Sequence, residues 1–283
     1  MDYIILYNPL SKSGANLKIS NKIKRKLEKK GHTVNIGSLI EIIDVKEYIL
    51  NLNIETKIII VGGDGTLHHL ANTLIGYEIK NDIFVAKAGT GNDFVRSLKT
   101  KEKLVRINDY ISDIPYDIVE ENDNKKRYFL NSVGMGVDAY IAHLVNTQAK
   151  NKGRFSYFKC TYRGFTRFKP ENITVTIDGN KKHFKKAWLV VVANSKYLGK
   201  GMRISPKSKR LDDKLEVVIV HGLKRFMVLL IFPIIYLGLH TKLKRWVKYY
   251  EAQEVLIESE TNKHVQYDGE TEYPRKKLKI KRK

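Results

Sequence analysis

The chain has 283 residues, enough to bury a large core and to form one large or two medium domains. Lys and Arg number 52 against 30 Asp and Glu, and the resulting +22 points to polyanionic partners: nucleic acid, nucleotide phosphates or an anionic membrane surface. A single cysteine, Cys160, excludes an intramolecular disulfide and any cysteine-based zinc site.

The first apolar run predicts a strand over 3–7. It is too short for a secretion signal, so the expected compartment is the cytoplasm. Asn8-Pro9-Leu10-Ser11-Lys12-Ser13-Gly14 makes a polar turn before a helix over 17–30, which Gly31 ends. A second strand is expected over 33–36. The β-branched run Lys57–Val61 reads as a buried strand that stops at Gly62-Gly63-Asp64-Gly65-Thr66. Residues 67–74 then have helical spacing, with Thr66 placed to cap them.

Strand, glycine loop and helix N-terminus form a phosphate cradle, because bare N–H groups and the helix dipole both face an anion. Asp64 would repel that anion unless a divalent cation or an acceptor hydroxyl lies between. Glycines for phosphate and one carboxylate for metal suggest a kinase. A plain tight turn would use Asp-Gly for its positive φ alone, but a similar loop follows. Ile83–Ala86 delivers Gly89-Thr90-Gly91-Asn92-Asp93 before a helix over 94–98. In a parallel sheet all three loops emerge at the carboxyl edge, where open α/β sheets bind ligands.

Near residue 115 the alternation of strands and helices gives way to closer strands and hairpins. Strands are expected over 116–119, 127–133, 173–177, 183–193, 215–220, 255–259, 264–267 and 278–280, with helical inserts over 139–150 and 226–239. Domains of 1–117 and 118–283 follow, the extreme C-terminus returning to the first, with the active site expected in the cleft between them. The apolar segment 226–239 falls short of the roughly 20 residues a span needs. It reads first as a buried helix. The alternative is an interfacial patch in which Lys224, Arg225, Lys242, Lys244 and Arg245 meet lipid headgroups, aided by Trp246, Tyr249 and Tyr250. Gly134-Met135-Gly136-Val137-Asp138-Ala139 lacks the distal acid of a dinucleotide site, and Gly199-Lys200-Gly201 is no P-loop. No helix-turn-helix, zinc-finger or RNA-sheet signature accompanies the charge, so no nucleic-acid partner is expected.

Asn8-Pro9, Gly62-Gly63-Asp64-Gly65-Thr66 and Gly89-Thr90-Gly91-Asn92-Asp93-Phe94, in that order, resemble the diacylglycerol kinase catalytic-domain superfamily. The likeness continues through Asn131-Ser132-Val133-Gly134-Met135-Gly136-Val137-Asp138, Gly201-Met202-Arg203-Ile204-Ser205-Pro206, Leu211-Asp212-Asp213 and Asp268-Gly269-Glu270. Lys12 and Lys214 stand where that family often has glycine.

The resemblance implies an α/β N-terminal domain with a parallel sheet and a β-rich, sandwich-like C-terminal domain. The implied reaction moves the γ-phosphate of ATP, with Mg²⁺, to the hydroxyl of diacylglycerol to give phosphatidic acid. Nucleotide contacts would come from Asn8, Ser11, Ser38, Gly62, Gly63, Asp64, Gly65, Thr66, Leu67, His68, Thr90, Asn92 and Asp93, with Asp117 a further candidate. Asp64 would steady the β and γ phosphates, and Asp268 and Glu270, projecting from one side of a strand, would take the hydroxyl proton. A second, structural Mg²⁺ would sit on the Asp213 carboxylate and the main-chain carbonyls of Arg210 and Leu215. The implied partner is a lipid at an anionic membrane surface, reached by peripheral association, and a homodimer is compatible. Another lipid alcohol, NAD as acceptor, or a nucleotide-binding protein without turnover are the alternatives.

Overall fold

The computed structural model describes residues 1–87, 92–119, 125–148, 154–199 and 201–282. They form two compact units, Met1–Asp113 and Ile114–Lys283.

The first unit is built on a five-stranded sheet: β1 (Asp2–Tyr7), β2 (Thr33–Ser38), β3 (Lys57–Val61), β4 (Ile83–Ala86) and β5 (Leu104–Arg106), in the order β2-β1-β3-β4-β5. The first four are parallel and β5 is antiparallel to β4. Ile58, Ile59, Ile60 and Val61 are all fully buried, as a central strand covered on both faces requires. Helix α1 (Ala15–Glu28) lays Ile19, Ile23 and Leu27 over Ile5, Val34 and Ile59, and its chain end turns through Gly31 at φ 80°. The short α2 (Val45–Leu50) is capped by Asp44, which accepts from Glu47 N at 2.9 Å. Helices α3 (Asp64–Leu74) and α4 (Asp93–Ser97) follow β3 and β4, and α5 (Asn108–Ser112) closes the unit. Because β1, β3 and β4 run parallel, the loops leaving them lie at one sheet edge.

The second unit is a nine-stranded, mostly antiparallel arrangement of β6 (Tyr116–Val119), β7 (Lys125–Tyr128), β8 (Ser132–Gly136), β9 (Glu171–Ile177), β10 (Asn180–Ala193), β11 (Leu215–His221), β12 (Val247–Ala252), β13 (Glu254–Tyr267) and β14 (Glu270–Lys281). The long strands β10 and β13 each pair with β9 along one half and with β8 along the other. Register shifts near Lys186 and Lys263 let them bend between the two layers, the way sandwich corners are turned. Val133, Met135, Val190, Val217, Ile257 and Val265 lie in the core so enclosed. Over the other face pack α6 (Val137–Gln148), α7 (Arg154–Arg167) and α8 (Arg225–Leu237), around Trp188, whose Nε1 donates to Leu223 O at 3.0 Å.

Several expectations are corrected. The boundary falls after Asp113, not after residue 117, because β6 pairs with β14 inside the second unit, so the C-terminal strand returns there. Residues 127–133 form parts of two strands, and 255–259 and 264–267 are one continuous strand. Trp246 precedes β12, and Tyr249 and Tyr250 belong to it; all three pack against the core, with the Tyr249 hydroxyl 2.8 Å from His240 Nε2. Pro233 lies within α8 without ending it.

Candidate active site

At the sheet edge of the first unit, three loops are tied together by side chains. Asn8 Nδ2 donates to Thr66 Oγ1 at 3.0 Å, and Asn8 N donates to Val61 O at 3.0 Å. The buried Asn16, which the sequence did not single out, donates to Asn8 O at 2.8 Å and to Ser11 Oγ. Thr66 is thus not the helix cap. Helix α3 starts at Asp64 with Gly63 as its N-cap, and no side chain caps it. Its first-turn amides are the orphan donors an anion would satisfy.

The glycines fit that use for distinct reasons. A Cβ on Gly62 would lie 2.5 Å from the Thr66 side chain, whereas one on Gly63 would meet nothing within 4 Å. Gly62 lets the strand approach its helix, and Gly63 faces open space.

Asp64 does not stand exposed to that space. Its Oδ2 accepts from Asp93 N at 3.1 Å and its Oδ1 from Phe94 N at 3.0 Å, so one carboxylate holds the N-terminus of α4 against the β3–α3 loop. Asn92 caps α4, its Oδ1 accepting from Val95 N at 3.2 Å. The charge that the sequence reading left for a cation is partly absorbed by these amides. Ser38, at the end of β2, has a buried hydroxyl with no hydrogen-bond partner, and Asn92 Nδ2 is likewise buried and unpartnered. Such orphaned groups fit a bound polar ligand. Leu67 and His68 are buried on α3 and Gly65 lies in its first turn, while His69 points to solvent. Thr90 lies outside the described residues.

In the second unit, Asp268-Gly269 is a two-residue hairpin loop between β13 and β14, with Tyr267 opposite Glu270 and φ of 53° and 98°. That is the geometry of Asp178-Gly179, at φ 44° and 80°, between β9 and β10. Asp268 and Glu270 therefore do not sit two apart along one strand. The Asp268 carboxylate accepts from Leu130 N at 2.7 Å, Asn131 N at 2.6 Å and Ser132 N at 3.1 Å. Asp178 does the same for Gln253 N and Glu254 N. Glu270 is exposed and feels the charge of Arg127.

Behind the hairpin lies a buried network. Asp117 is fully buried, accepting from Tyr267 Oη at 2.6 Å, Arg275 Nη2 at 3.0 Å and Lys279 N at 2.6 Å. Burial raises its pKa above the usual carboxylate range against the pull of these donors. It is a structural anchor of the second unit, not a nucleotide ligand.

The Arg210–Leu215 segment does not fit a structural Mg²⁺. Arg282, 4% exposed, donates from Nε to Asp212 O at 2.7 Å and from Nη2 to Arg210 O at 3.4 Å. A guanidinium thus lies against the Arg210 carbonyl, one of the oxygens the metal would need, and brings a positive charge to its site. The Arg210 side chain turns inward to Leu130 O, Asn131 Oδ1 and Ser195 Oγ, and Asp213 is exposed. No grouping of three or more His, Cys, Asp or Glu able to hold a metal occurs among the described residues. Arg282→Met is expected to destabilise the fold by about 2–4 kcal/mol in denaturant unfolding, since it strands buried carbonyls. Chelator should leave the melting temperature of the nucleotide-free protein unchanged, and a fall on chelation would restore the metal.

Above the sheet, α8 and α7 enclose an apolar cavity lined by Val137, Ile141, Phe165, Trp188, Phe232 and Ile235. One acid, Asp138, also lines it. Its Oδ2 accepts from Gln266 Nε2 at 3.3 Å, and its Oδ1 is buried without a partner. Gly134 makes room for it: a Cβ there would lie 2.0 Å from Asp138 Oδ2. Burial pushes the Asp138 carboxyl up to about 6.

A pKa raised on folding gives stability that is complete at low pH and lost as pH rises through the folded value. Stability should therefore fall by about 2–3 kcal/mol between pH 4 and 7 through this group. Asp138→Asn should flatten that part of a pH-dependent urea series; an unchanged slope would assign it elsewhere.

The family described as "Diacylglycerol kinase catalytic domain" matches residues 2–117, and that described as "YegS C-terminal NAD kinase beta sandwich-like domain" matches 131–277. "Putative lipid kinase YtlR" of Bacillus subtilis (strain 168) is 25% identical over 290 residues, covering 88% of this chain and 84% of its own. "Diacylglycerol kinase" of Mycobacterium tuberculosis (strain ATCC 25618 / H37Rv) is 24% identical over 251 residues, covering 84% and 79%. A crystal structure of a diacylglycerol kinase from Bacillus anthracis str. Sterne matches with a TM-score of 0.66 at 22% identity, over 99% of this chain and 93% of that one. At that identity the structural likeness speaks for the fold alone.

Proposed function

The chain belongs to the diacylglycerol-kinase-like lipid kinase family, and on that premise we propose that it transfers the γ-phosphate of ATP to the hydroxyl of diacylglycerol, giving phosphatidic acid and ADP. What supports a lipid acceptor is the apolar lining beneath α8, whose walls suit hydrocarbon and whose one acid suits a polar head; the cavity encloses about 50 Å³ and has to widen to admit an acyl chain. A dinucleotide acceptor such as NAD would want polar and charged walls instead.

Phosphoryl transfer asks the protein for positioning, charge neutralisation and a proton acceptor. The open N-terminus of α3 and the hydroxyl of Ser38 receive the triphosphate, and Asp64 holds the N-terminus of α4 beside the β3–α3 loop. Mg²⁺ would be carried on the nucleotide and neutralise charge on its β and γ phosphates. Asp64 would hold that ion through water, since Mg²⁺ keeps much of its hydration shell. The lipid oxygen attacks the γ-phosphorus, the bond to the β-phosphate oxygen breaks, and the hydroxyl proton leaves to a carboxylate. Glu270 is that acceptor. Asp268, whose oxygens already receive three amide hydrogens, positions Leu130–Ser132.

Labelled ATP offered with dispersed diacylglycerol, monoacylglycerol, sphingosine, undecaprenol and, as soluble control, NAD tests the reading. Label in phosphatidic acid supports it. Label in another product replaces the acceptor, and label in none overturns the lipid half.

A further inference from the structure

On the outer side of α8, Phe226 (61% exposed), Leu230 (69%), Pro233 and Leu237 (64%) follow one another at helical spacing and make one apolar stripe. Its inner side is occupied, with Val228 and Ile235 buried and Phe232 against the Phe165 ring at 5.0 Å. The adjoining α7 adds Phe158 and Tyr162, four residues apart and both mostly exposed. Apolar surface of this kind, unused by the fold, marks a docking site.

The charge around it selects the occupant. No Asp or Glu occurs between Ala139 and Pro170, nor between Val217 and Tyr250, although acids make up 30 of the 283 residues. Lys159, Arg167, Lys224, Lys242, Lys244 and Arg245 are exposed within these two stretches. Lys224 sits at the start of α8, where the helix dipole disfavours a cation and the first turn carries no acid. A second copy of this face would repel it. An anionic bilayer matches both the apolar stripe and its basic rim.

We propose that the outer face of α8, with the exposed ring pair of α7, inserts into an anionic membrane. No helix among the described residues is long and apolar enough to cross a membrane. The element therefore lies in the plane of the interface, apolar side down. Because the opposite side of α8 lines the cavity, docking puts the cavity wall one helix thickness from the lipid. This use of the face rests on the lipid-acceptor reading above.

The test is sedimentation with phosphatidylcholine vesicles, with and without phosphatidylglycerol. The wild-type chain is expected to pellet only with the anionic vesicles, and Phe226→Glu combined with Leu230→Glu to lower partitioning about a hundredfold. Both side chains are exposed, so the melting temperature and ATP affinity should hold. Turnover of vesicle-embedded diacylglycerol should collapse while that of a short-chain, water-soluble diacylglycerol persists.

In a second measurement, Leu230→Trp should be quenched by bromine-labelled acyl chains. A double variant that pellets like wild type, an unquenched Trp at 230, or loss of self-association with vesicle binding intact would each overturn the proposal. If vesicle binding behaves as expected but neither lipid is phosphorylated, the acceptor assignment fails and the docking surface stands.

Discussion

Asp64→Ala is expected to lower kcat by about a thousandfold while leaving the fold intact. The carboxylate accepts amide hydrogen bonds from Asp93 N and Phe94 N, which tie the β3–α3 loop to α4. Charge-assisted bonds of this sort are worth about 1.5–3 kcal/mol each. About 4 kcal/mol of lost positioning in the transition state corresponds to about three powers of ten in rate. The variant should still fold, with Asn92 capping α4, but melt earlier, because the amides of Asp93 and Phe94 lose this acceptor. Asp64→Asn keeps one acceptor oxygen but turns an NH₂ group toward a second N–H, so it should recover no more than about tenfold. Single-turnover transfer from labelled ATP, with melting curves alongside, separates these effects. An alanine variant within tenfold of wild type would remove Asp64 from the positioning machinery.

The parallel sheet was legible because a β-branched run buried on both faces has few other readings: 57–61 and 83–86 could only be central strands. The places of the glycine stretches were legible for the same reason, since a strand precedes and a helix follows each. The β5 edge strand has only three residues and no pattern to read.

What spacing could not give was register and partner. Asp268 and Glu270 look equivalent in the sequence, yet a two-residue turn separates them into an anchored and an exposed acid. Nor does composition distinguish a solvated cation from a structural one. Arg275 and Arg282 belong to the basic C-terminal stretch of the sequence, but both are buried, holding Asp117 and the 210–212 carbonyls. Arg210 was expected to act through its main chain, and its side chain grips Leu130 and Asn131 instead. Part of the +22 thus lies inside the second unit, and the cations of the proposed docking face lie in and around the acid-free helices α7 and α8.

The two acids of the hairpin should part company on substitution. Glu270→Gln is expected to leave the unfolding free energy unchanged, since the side chain is exposed, and to lower kcat by about a hundred- to ten-thousandfold, the range for loss of a general base. Asp268→Asn should do the reverse in kind. Asn tolerates the left-handed backbone at φ 53°, so the turn survives. One of its terminal atoms becomes a donor, however, and must face either Leu130 N or the pair Asn131 N and Ser132 N. A buried donor opposed to a donor costs about 1–3 kcal/mol, so this variant should melt earlier. Its residual activity should follow how well Leu130–Ser132 is still held, with the pH dependence of kcat retained. In Glu270→Gln the limb of the pH–rate profile that reports the base should vanish. Should Asp268→Asn erase that limb while Glu270→Gln preserves it, the roles are exchanged: the anchored carboxylate would then have to release an amide bond during turnover, and the hairpin would be a moving part.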